Sequence, residues 1–179
     1  VAFLAATRNG YICNPSLHRN YTSEEILELL GNIGAAAIFA EVDYGVDAAG
    51  SSVFNDIENL PAMKQVFRLP PGRDPGPDFP ASNPNSGHAV ASEDNPDKVA
   101  YLAFTSGTTG TPKGVMHSDN TLLANPRDMV ADWNHDTSTV LLTLSPLSHH
   151  IAWVAMAQVL VCGGELVVND PKDGMTALD

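Results

Sequence analysis

Short apolar runs that alternate with helix-forming segments constrain the fold of this chain most strongly. Residues 35–40 form such a run, which is typical of a buried parallel strand. Before it, Thr22 and Glu25 have the spacing of a capping box, followed by apolar residues at helical spacing up to Gly34. With residues 11–13 as a short strand, this order predicts a βαβ unit over the first 40 residues.

The same alternation continues to the end of the chain and predicts an α/β fold, with layered, largely parallel sheets and flanking helices. Further helices are predicted over residues 1–6 (ended by Gly10), 52–60, from Ser118 or Asp119 towards Trp133, and 151–162; further strands are predicted over 65–69, 98–105, 139–145 and 165–169. Between these elements, residues 70–96 contain ten prolines and glycines, which favour a long irregular surface loop. An interdomain linker is the alternative.

The charge and cysteine content exclude several classes of partner. Nine basic residues against 21 acidic ones give a net charge of -12, so the chain is a poor partner for nucleic acid or an anionic membrane. No apolar run approaches the roughly 18 residues that span a bilayer, and no secretory leader is recognisable. Cys13 and Cys162 lie in apolar segments, and we expect two buried thiols in a cytoplasmic protein, with a disulfide between them as the alternative.

The segment from Thr105 to Gly114 carries the chemistry. It offers five hydroxyls, three glycines and a single lysine directly after an apolar strand. A polyphosphate needs short hydrogen-bond donors, a backbone that can approach closely and a cation, which here is Lys113. The P-loop pattern of nucleoside triphosphatases does not fit, because Lys113 precedes Gly114 rather than Ser or Thr. A flexible turn between two strands is the structural alternative.

Residues 101–115 (YLAFTSGTTGTPKGV) resemble the AMP-binding signature of the adenylate-forming superfamily, and residues 116–118 continue its pattern. That superfamily includes acyl-CoA synthetases, coumarate-CoA ligases, firefly luciferase and the adenylation domains of peptide synthetases. Three further segments are similar to weaker motifs of the family: Gly10 to Pro15, Pro146-Leu147-Ser148-His149, and Gly163-Gly164-Glu165.

The resemblance implies a two-step reaction. A carboxylic acid reacts with ATP to give an acyl-adenylate and pyrophosphate, and a thiol, usually coenzyme A, then displaces AMP. The residues that would hold the ATP phosphates are Thr105, Ser106, Gly107, Thr108, Thr109 and Lys113. Mg2+ would bridge the phosphates, with Thr105 as an indirect partner. His149 matches a histidine that borders the acyl and thiol pockets, although Ser148 replaces the usual aromatic residue beside it, and His150 is a weaker candidate.

The resemblance covers only part of a family enzyme. The chain lacks the adenine-contacting Tyr-Gly-x-Thr-Glu motif, the ribose-binding Thr-Gly-Asp motif and the small C-terminal domain with its catalytic lysine. We therefore expect residues 1–179 to be part of the large N-terminal domain: a βαβ-type segment over 1–69, a loop over 70–96 and a phosphate-loop segment over 97–179. Such a chain is expected to complete neither half-reaction and to self-associate through unpaired strands.

Three interpretations remain open at this stage. The first is part of an acyl-CoA synthetase, with an amino-acid adenylation domain or a luciferase-like oxidase as the alternative within the family. The second is a non-catalytic nucleotide-binding module, and the third is a purely structural module. Trp153 and Met156 could form one wall of an acyl pocket for an aliphatic or aromatic acid, but core packing explains them as well.

Overall fold

The computed structural model describes residues 2–15, 17–70, 93–105 and 113–168. The predicted phosphate-binding residues Ser106, Gly107, Thr108 and Thr109, and most of the predicted 70–96 loop, lie outside them. The described chain folds into two compact units, one of residues 17–70 and one of residues 2–15, 93–105 and 113–168. Within these ranges, every helix is too short or too polar to cross a membrane.

Four helices and six strands make up the two units. The helices are α1 (Ala2–Arg8), α2 (Ser23–Asn32), α3 (Asp119–Asp132) and α4 (His150–Cys162). The strands are β1 (Ala37–Glu41), β2 (Gln65–Leu69), β3 (Val99–Phe104), β4 (Gly114–Ser118), β5 (Val140–Thr143) and β6 (Glu165–Val168). The pairs β1–β2 and β5–β6 are parallel, and β3–β4 is antiparallel.

The unit of residues 17–70 packs α2 against the β1–β2 pair. Its helix starts with the predicted capping box, in which the Thr22 hydroxyl accepts from the Glu25 N–H and the Glu25 carboxylate accepts from the Thr22 N–H. The buried core comprises Ile26, Leu30, Ile38, Ala40, Val53 and Ile57. The structure therefore confirms the predicted helix and both strands, with Ala37 opposite Gln65 in the parallel register.

Residues 52–60 form two short 3-10 helices, Val53–Asn55 and Ile57–Asn59, instead of the predicted helix. Asp56 separates them with φ -124° and ψ -3°, outside the helical region, and the next residue after Leu60 is a proline. The Ser52 side chain caps the first turn by accepting from the Phe54 N–H. Burial of Val53 and Ile57 against α2 holds the two turns in place.

The predicted strand over residues 11–13 is reduced to one β-bridge between Cys13 and Tyr101. The Cys13 N–H donates to the Ala100 carbonyl at 2.9 Å, and the Leu102 N–H donates to the Cys13 carbonyl at 2.8 Å. Because Pro15 has no N–H, the segment cannot extend a ladder far beyond this point. Cys13 thus pairs with β3, whereas β1 pairs with β2. Among the described residues, the two strands of the predicted βαβ unit therefore do not pair with each other.

The other unit contains the β3–β4 hairpin and the parallel pair of β5 and β6. The helix α4 connects β5 to β6. The strand β3 was predicted, but β4 was not, because its five residues alternate only weakly and follow a polar loop. The helix α3 begins at the predicted cap, Ser118, and ends at Trp133. Tyr101, Leu122, Trp153 and Ala157 form the buried core of this unit, with Phe3 packed against it.

Both cysteines belong to this unit and are free thiols in the structure. Each is half-buried rather than fully buried as the sequence suggested. Burial raises the pKa of the Cys13 thiol, and the nearby positive charge of Lys98 partly offsets this effect. The thiol of Cys13 is therefore mainly protonated at neutral pH.

Two consecutive glycines end α4 for different reasons. Gly163 has φ 76°, the left-handed conformation of a helix C-cap. At Gly164 space is the constraint, because an added Cβ would lie 2.6 Å from the Thr139 carbonyl oxygen. That carbonyl accepts from the Glu165 N–H at 2.9 Å, next to where the β5–β6 ladder begins.

We predict that Gly164→Ala destabilises the chain more than Gly163→Ala. A left-handed alanine costs about 1–2 kcal/mol, whereas a clash with backbone that cannot move freely costs about 2–3 kcal/mol. Urea unfolding measures both changes. Gly50→Ala is the control, since the nearest atom to its added Cβ is 4.0 Å away; a Gly164→Ala variant as stable as Gly50→Ala would contradict the prediction.

Candidate functional site

The β3–β4 hairpin holds the two ends of the predicted phosphate loop side by side. Beyond the last strand pair, Phe104 with Gly114, the Thr105 N–H donates to the Lys113 carbonyl at 3.0 Å. In return, the Lys113 N–H donates to the Thr105 hydroxyl oxygen at 3.3 Å. Both residues are exposed, so the Lys113 ammonium group and the Thr105 hydroxyl lie at the base of the loop, open to solvent.

The glycine after Lys113 leaves little room for a side chain in the hairpin. A Cβ added to Gly114 would lie 3.0 Å from Leu102 Cδ1 and 3.4 Å from Phe104 Cε1. These are tight contacts for a methyl group on a paired strand. Gly114 therefore lets the Leu102 and Phe104 side chains of β3 pack closely against the strand that follows Lys113.

His149 occupies the N-cap of α4, just after the turn that follows β5. Its backbone is extended (φ -93°, ψ 139°), its N–H donates to the Pro146 carbonyl at 2.9 Å, and its carbonyl accepts from Ala152 at 3.1 Å. The side chain is exposed and makes no capping hydrogen bond. The imidazole thus lies beyond the carboxyl end of a parallel strand, where α/β proteins place ligands.

Two further histidines meet between the hairpin and α4. The rings of His117, on β4, and His150, the first residue of α4, stack with centroids 4.9 Å apart and an interplanar angle of 12°. Tyr101 contacts both rings edge-on, at 5.8 Å and 5.6 Å. Burial and the neighbouring His117 lower the pKa of His150.

Sequence reasoning had given His117 no role beyond continuing the signature and had ranked His150 below His149. The two histidines are 33 positions apart, on elements whose contact depends on tertiary packing. No local spacing in the sequence could have paired them. Of the predicted site residues, the structure joins Thr105 directly to Lys113 and places His149 one residue from this histidine stack.

The described site residues fit an anionic ligand with an associated cation. Lys113 supplies a positive charge, and Thr105 supplies a hydroxyl oxygen, which is a ligand type that suits Mg2+. Among the described residues, no three His, Cys, Asp or Glu side chains are grouped closely enough to hold a metal ion.

An exposed lysine and a hydroxyl at the base of a glycine-rich segment, on a hairpin of an α/β unit, are groups that a phosphate-binding fold would need. The match to a family of known proteins is specific. The family model described as "AMP-binding enzyme" matches residues 1–178, so the chain belongs to the AMP-binding enzyme family. This membership confirms the resemblance and the α/β fold class predicted from the sequence.

The chain is similar to proteins about three times its length. It is 26% identical over 185 residues to the D-alanine–D-alanyl carrier protein ligase of Bacillus cereus, covering 100% of this chain and 33% of that protein. It is 30% identical over 187 residues to the 3-[(3aS,4S,7aS)-7a-methyl-1,5-dioxo-octahydro-1H-inden-4-yl]propanoyl:CoA ligase of Mycobacterium tuberculosis, covering 99% and 36%. The chain thus spans about a third of the curated relatives it matches.

A solved structure supports the fold independently. Apo MatB from Rhodopseudomonas palustris superposes with a TM-score of 0.73 at 23% identity, over 99% of this chain and 33% of that one. The arrangement of helices and strands described above is therefore that of the corresponding third of a larger enzyme fold.

We predict that His149→Ser stabilises the chain. Serine at an N-cap accepts from the helix amides, a bond that His149 does not make, and such a cap contributes about 0.5–2 kcal/mol. Urea unfolding at pH 7.5 measures the change. Ser118→Ala, which removes an existing cap from α3, is the matched control and should destabilise by a similar amount. A loss of stability in His149→Ser would show that the imidazole itself supports the fold.

Proposed function

We propose that the chain provides the phosphate-binding part of an AMP-forming ligase, which activates a carboxylic acid with ATP and passes the acyl group to a thiol. One observation carries the proposal: in a member of the AMP-binding family, Thr105 and Lys113 close the base of a loop rich in glycine and hydroxyl groups.

In the proposed reaction, an oxygen of the carboxylate attacks the α-phosphorus of ATP, and the bond to the β,γ-pyrophosphate breaks. Negative charge builds up on the leaving pyrophosphate. The Lys113 ammonium group and the loop donors would stabilise that charge, since preorganised positive groups contribute most where charge develops. Ser106, Gly107, Thr108 and Thr109 complete the proposed set of loop residues. Mg2+ bound to the phosphates would supply further charge neutralisation.

The charge distribution around the loop supports this role. Residues 98–118 contain no Asp or Glu, although the whole chain has 21. Within the described residues, the two ion pairs join Arg19 to Glu41 and Arg68 to Glu58, and neither involves Lys113. The ammonium group is therefore not neutralised by a described carboxylate and can meet an anionic ligand.

We propose coenzyme A as the acceptor thiol and a small carboxylic acid as the substrate, with His149 beside the acyl and thiol pockets. A specific observation favours an alternative acceptor: one of the similar proteins is a carrier protein ligase, while the other is a CoA ligase. Trp153 and Met156 give little guidance on the acid, because Trp153 is 5% exposed and both pack in the core around Tyr101. Core packing is the interpretation that their burial favours.

We predict that Lys113→Ala weakens Mg-ATP binding at least tenfold. Loss of a charge-assisted contact to phosphate removes about 1.5–3 kcal/mol, and a factor of ten corresponds to about 1.4 kcal/mol. Equilibrium dialysis with labelled ATP at pH 7.5 measures the dissociation constant. Lys64→Ala, an exposed lysine of the other unit, is the matched control and should leave binding unchanged. Equal affinity in wild type and Lys113→Ala would contradict the proposed phosphate site.

Carboxylate-dependent ATP–pyrophosphate exchange tests the chemistry separately. With short, branched, cyclic and aromatic acids, this chain alone is expected to give no exchange, because the adenine and ribose motifs are missing from it. Exchange that disappears in Lys113→Ala would overturn that expectation and identify the acid. Exchange by a longer natural form of the chain, again dependent on Lys113, would distinguish an enzyme from a non-catalytic nucleotide-binding module.

A further inference from the structure

The stacked rings of His117 and His150 link two elements that carry the candidate site. His117 lies on β4, four residues after Lys113, and His150 follows His149 at the start of α4. Their near-parallel rings, 4.9 Å between centroids, are in direct contact across the two elements. The stack is therefore a side-chain connection between β4, the strand that leaves the phosphate loop, and α4, the helix that follows His149.

Buried aromatic rings fix the stack from below. Tyr101 is fully buried on β3 and contacts both imidazoles edge-on. Trp153 lies one turn along α4 from His150, with its ring parallel to that imidazole (6°) at 6.3 Å between centroids. Phe3 packs edge-on against Tyr101 and Trp153, at 6.0 Å from each. Because these aromatic side chains are held in the core, the two histidines share one defined geometry.

Little in the surroundings compensates a positive charge on the stack. Among the described residues, Tyr101 of β3 contacts both rings, His149 directly precedes His150, and the Thr121 hydroxyl lies 3.4 Å from His117 Nδ1. Glu165 is the charged residue of β6, which packs against α4. The charged residues of α3, which packs against both β4 and α4, are Asp119, Arg127, Asp128 and Asp132. Within the described part of the chain, neither imidazole forms an ion pair with a carboxylate.

We propose that His117 and His150 form a proton-sensitive clasp that joins β4 to the start of α4 and so positions His149 relative to the base of the phosphate loop. The clasp is closed when the His150 ring is neutral and is weakened when that ring takes up a proton, because His117 opposes a positive charge on His150. The clasp itself follows from the ring geometry, whereas the positioning of His149 rests on the proposed function.

The direction of the pH effect follows from the two protonation equilibria. The pKa of His150 in the folded chain is lower than the ordinary value of 6.5, because of burial and the charge of His117. At pH values between the lowered pKa of the folded chain and the ordinary pKa of 6.5, the unfolded chain binds more protons than the folded chain. The contribution of the clasp to stability is therefore complete above about pH 6.5 and is lost as the pH falls towards the folded-state pKa.

We predict that the fluorescence of Trp153 follows the protonation of His150, since a protonated imidazole quenches a neighbouring indole. The chain has two tryptophans, so Trp133→Phe leaves Trp153 as the only emitter. In that background, emission between pH 8 and pH 5 should change with an apparent pKa below 6.5. His150→Phe should abolish the transition, and His117→Phe should move it upwards, towards 6.5, because the repelling charge is gone. His135→Phe, on the turn after α3, is the control and should change nothing.

Unfolding in urea gives a second readout of the same clasp. The midpoint should fall from pH 7.5 to pH 5.5 in the parent protein and fall less in His150→Phe, whose ring stacks but takes up no proton. In the fluorescence titration, an apparent pKa at or above 6.5 would contradict the clasp. An apparent pKa that stays the same in His117→Phe would contradict it as well.

The positioning role is tested through nucleotide binding. Mg-ATP affinity should weaken more between pH 7.5 and pH 5.5 in the parent protein than in His150→Phe, while the protonation of ATP itself affects both equally. Equal weakening would overturn the positioning role and leave the fluorescence result standing. If ATP binding does not depend on Lys113 at pH 7.5, the proposed function is wrong. The clasp is then still tested by the fluorescence transition, which is measured without ATP.

Discussion

The pairing of β3 with β4 is the interaction on which the rest of the site depends. It closes the loop at Thr105 and Lys113, and it sets Tyr101 opposite His117 in the antiparallel register. Tyr101 is at the same time the buried centre around which α1 and α4 pack through Phe3 and Trp153. A single strand thus carries the loop on one end and the core contact in its middle, so a shift in its register would displace both together.

His149 shows how a candidate functional residue can oppose local stability. Its backbone has the extended conformation of an N-cap, yet its side chain forms no hydrogen bond to the first amides of α4. By contrast, α2 and α3 both begin with complete capping boxes, at Thr22 and Ser118. Of these three described helices, α4 begins without a side-chain cap, which agrees with the proposal that His149 serves chemistry rather than helix stability.

The sequence could predict features determined by local interactions. The capping box of Thr22, the helix cap at Ser118, the apolar run that became β1 and the glycine end of α4 all depend on residues within one or two turns, and the structure confirms each of them. Features that depend on distant contacts were missed. The strand β4 exists because β3 pairs with it, residues 11–13 form only a bridge because Pro15 ends the ladder, and the His117–His150 stack requires the hairpin and α4 to pack first.

Because the whole chain is acidic, the charges close to the predicted phosphate loop matter most for the proposed binding of ATP. A net charge of -12 repels ATP at long range, but charges separated by more than about 8 Å are largely screened at physiological salt. In the proposed site, ATP binding would therefore be decided by groups near the loop, where residues 98–118 contain no carboxylate and Lys113 would supply the cation. His117 lies in this same segment, which offers no carboxylate that could pair with its imidazole. The absence of negative charge that favours the proposed phosphate site is thus also the setting of the proposed histidine clasp.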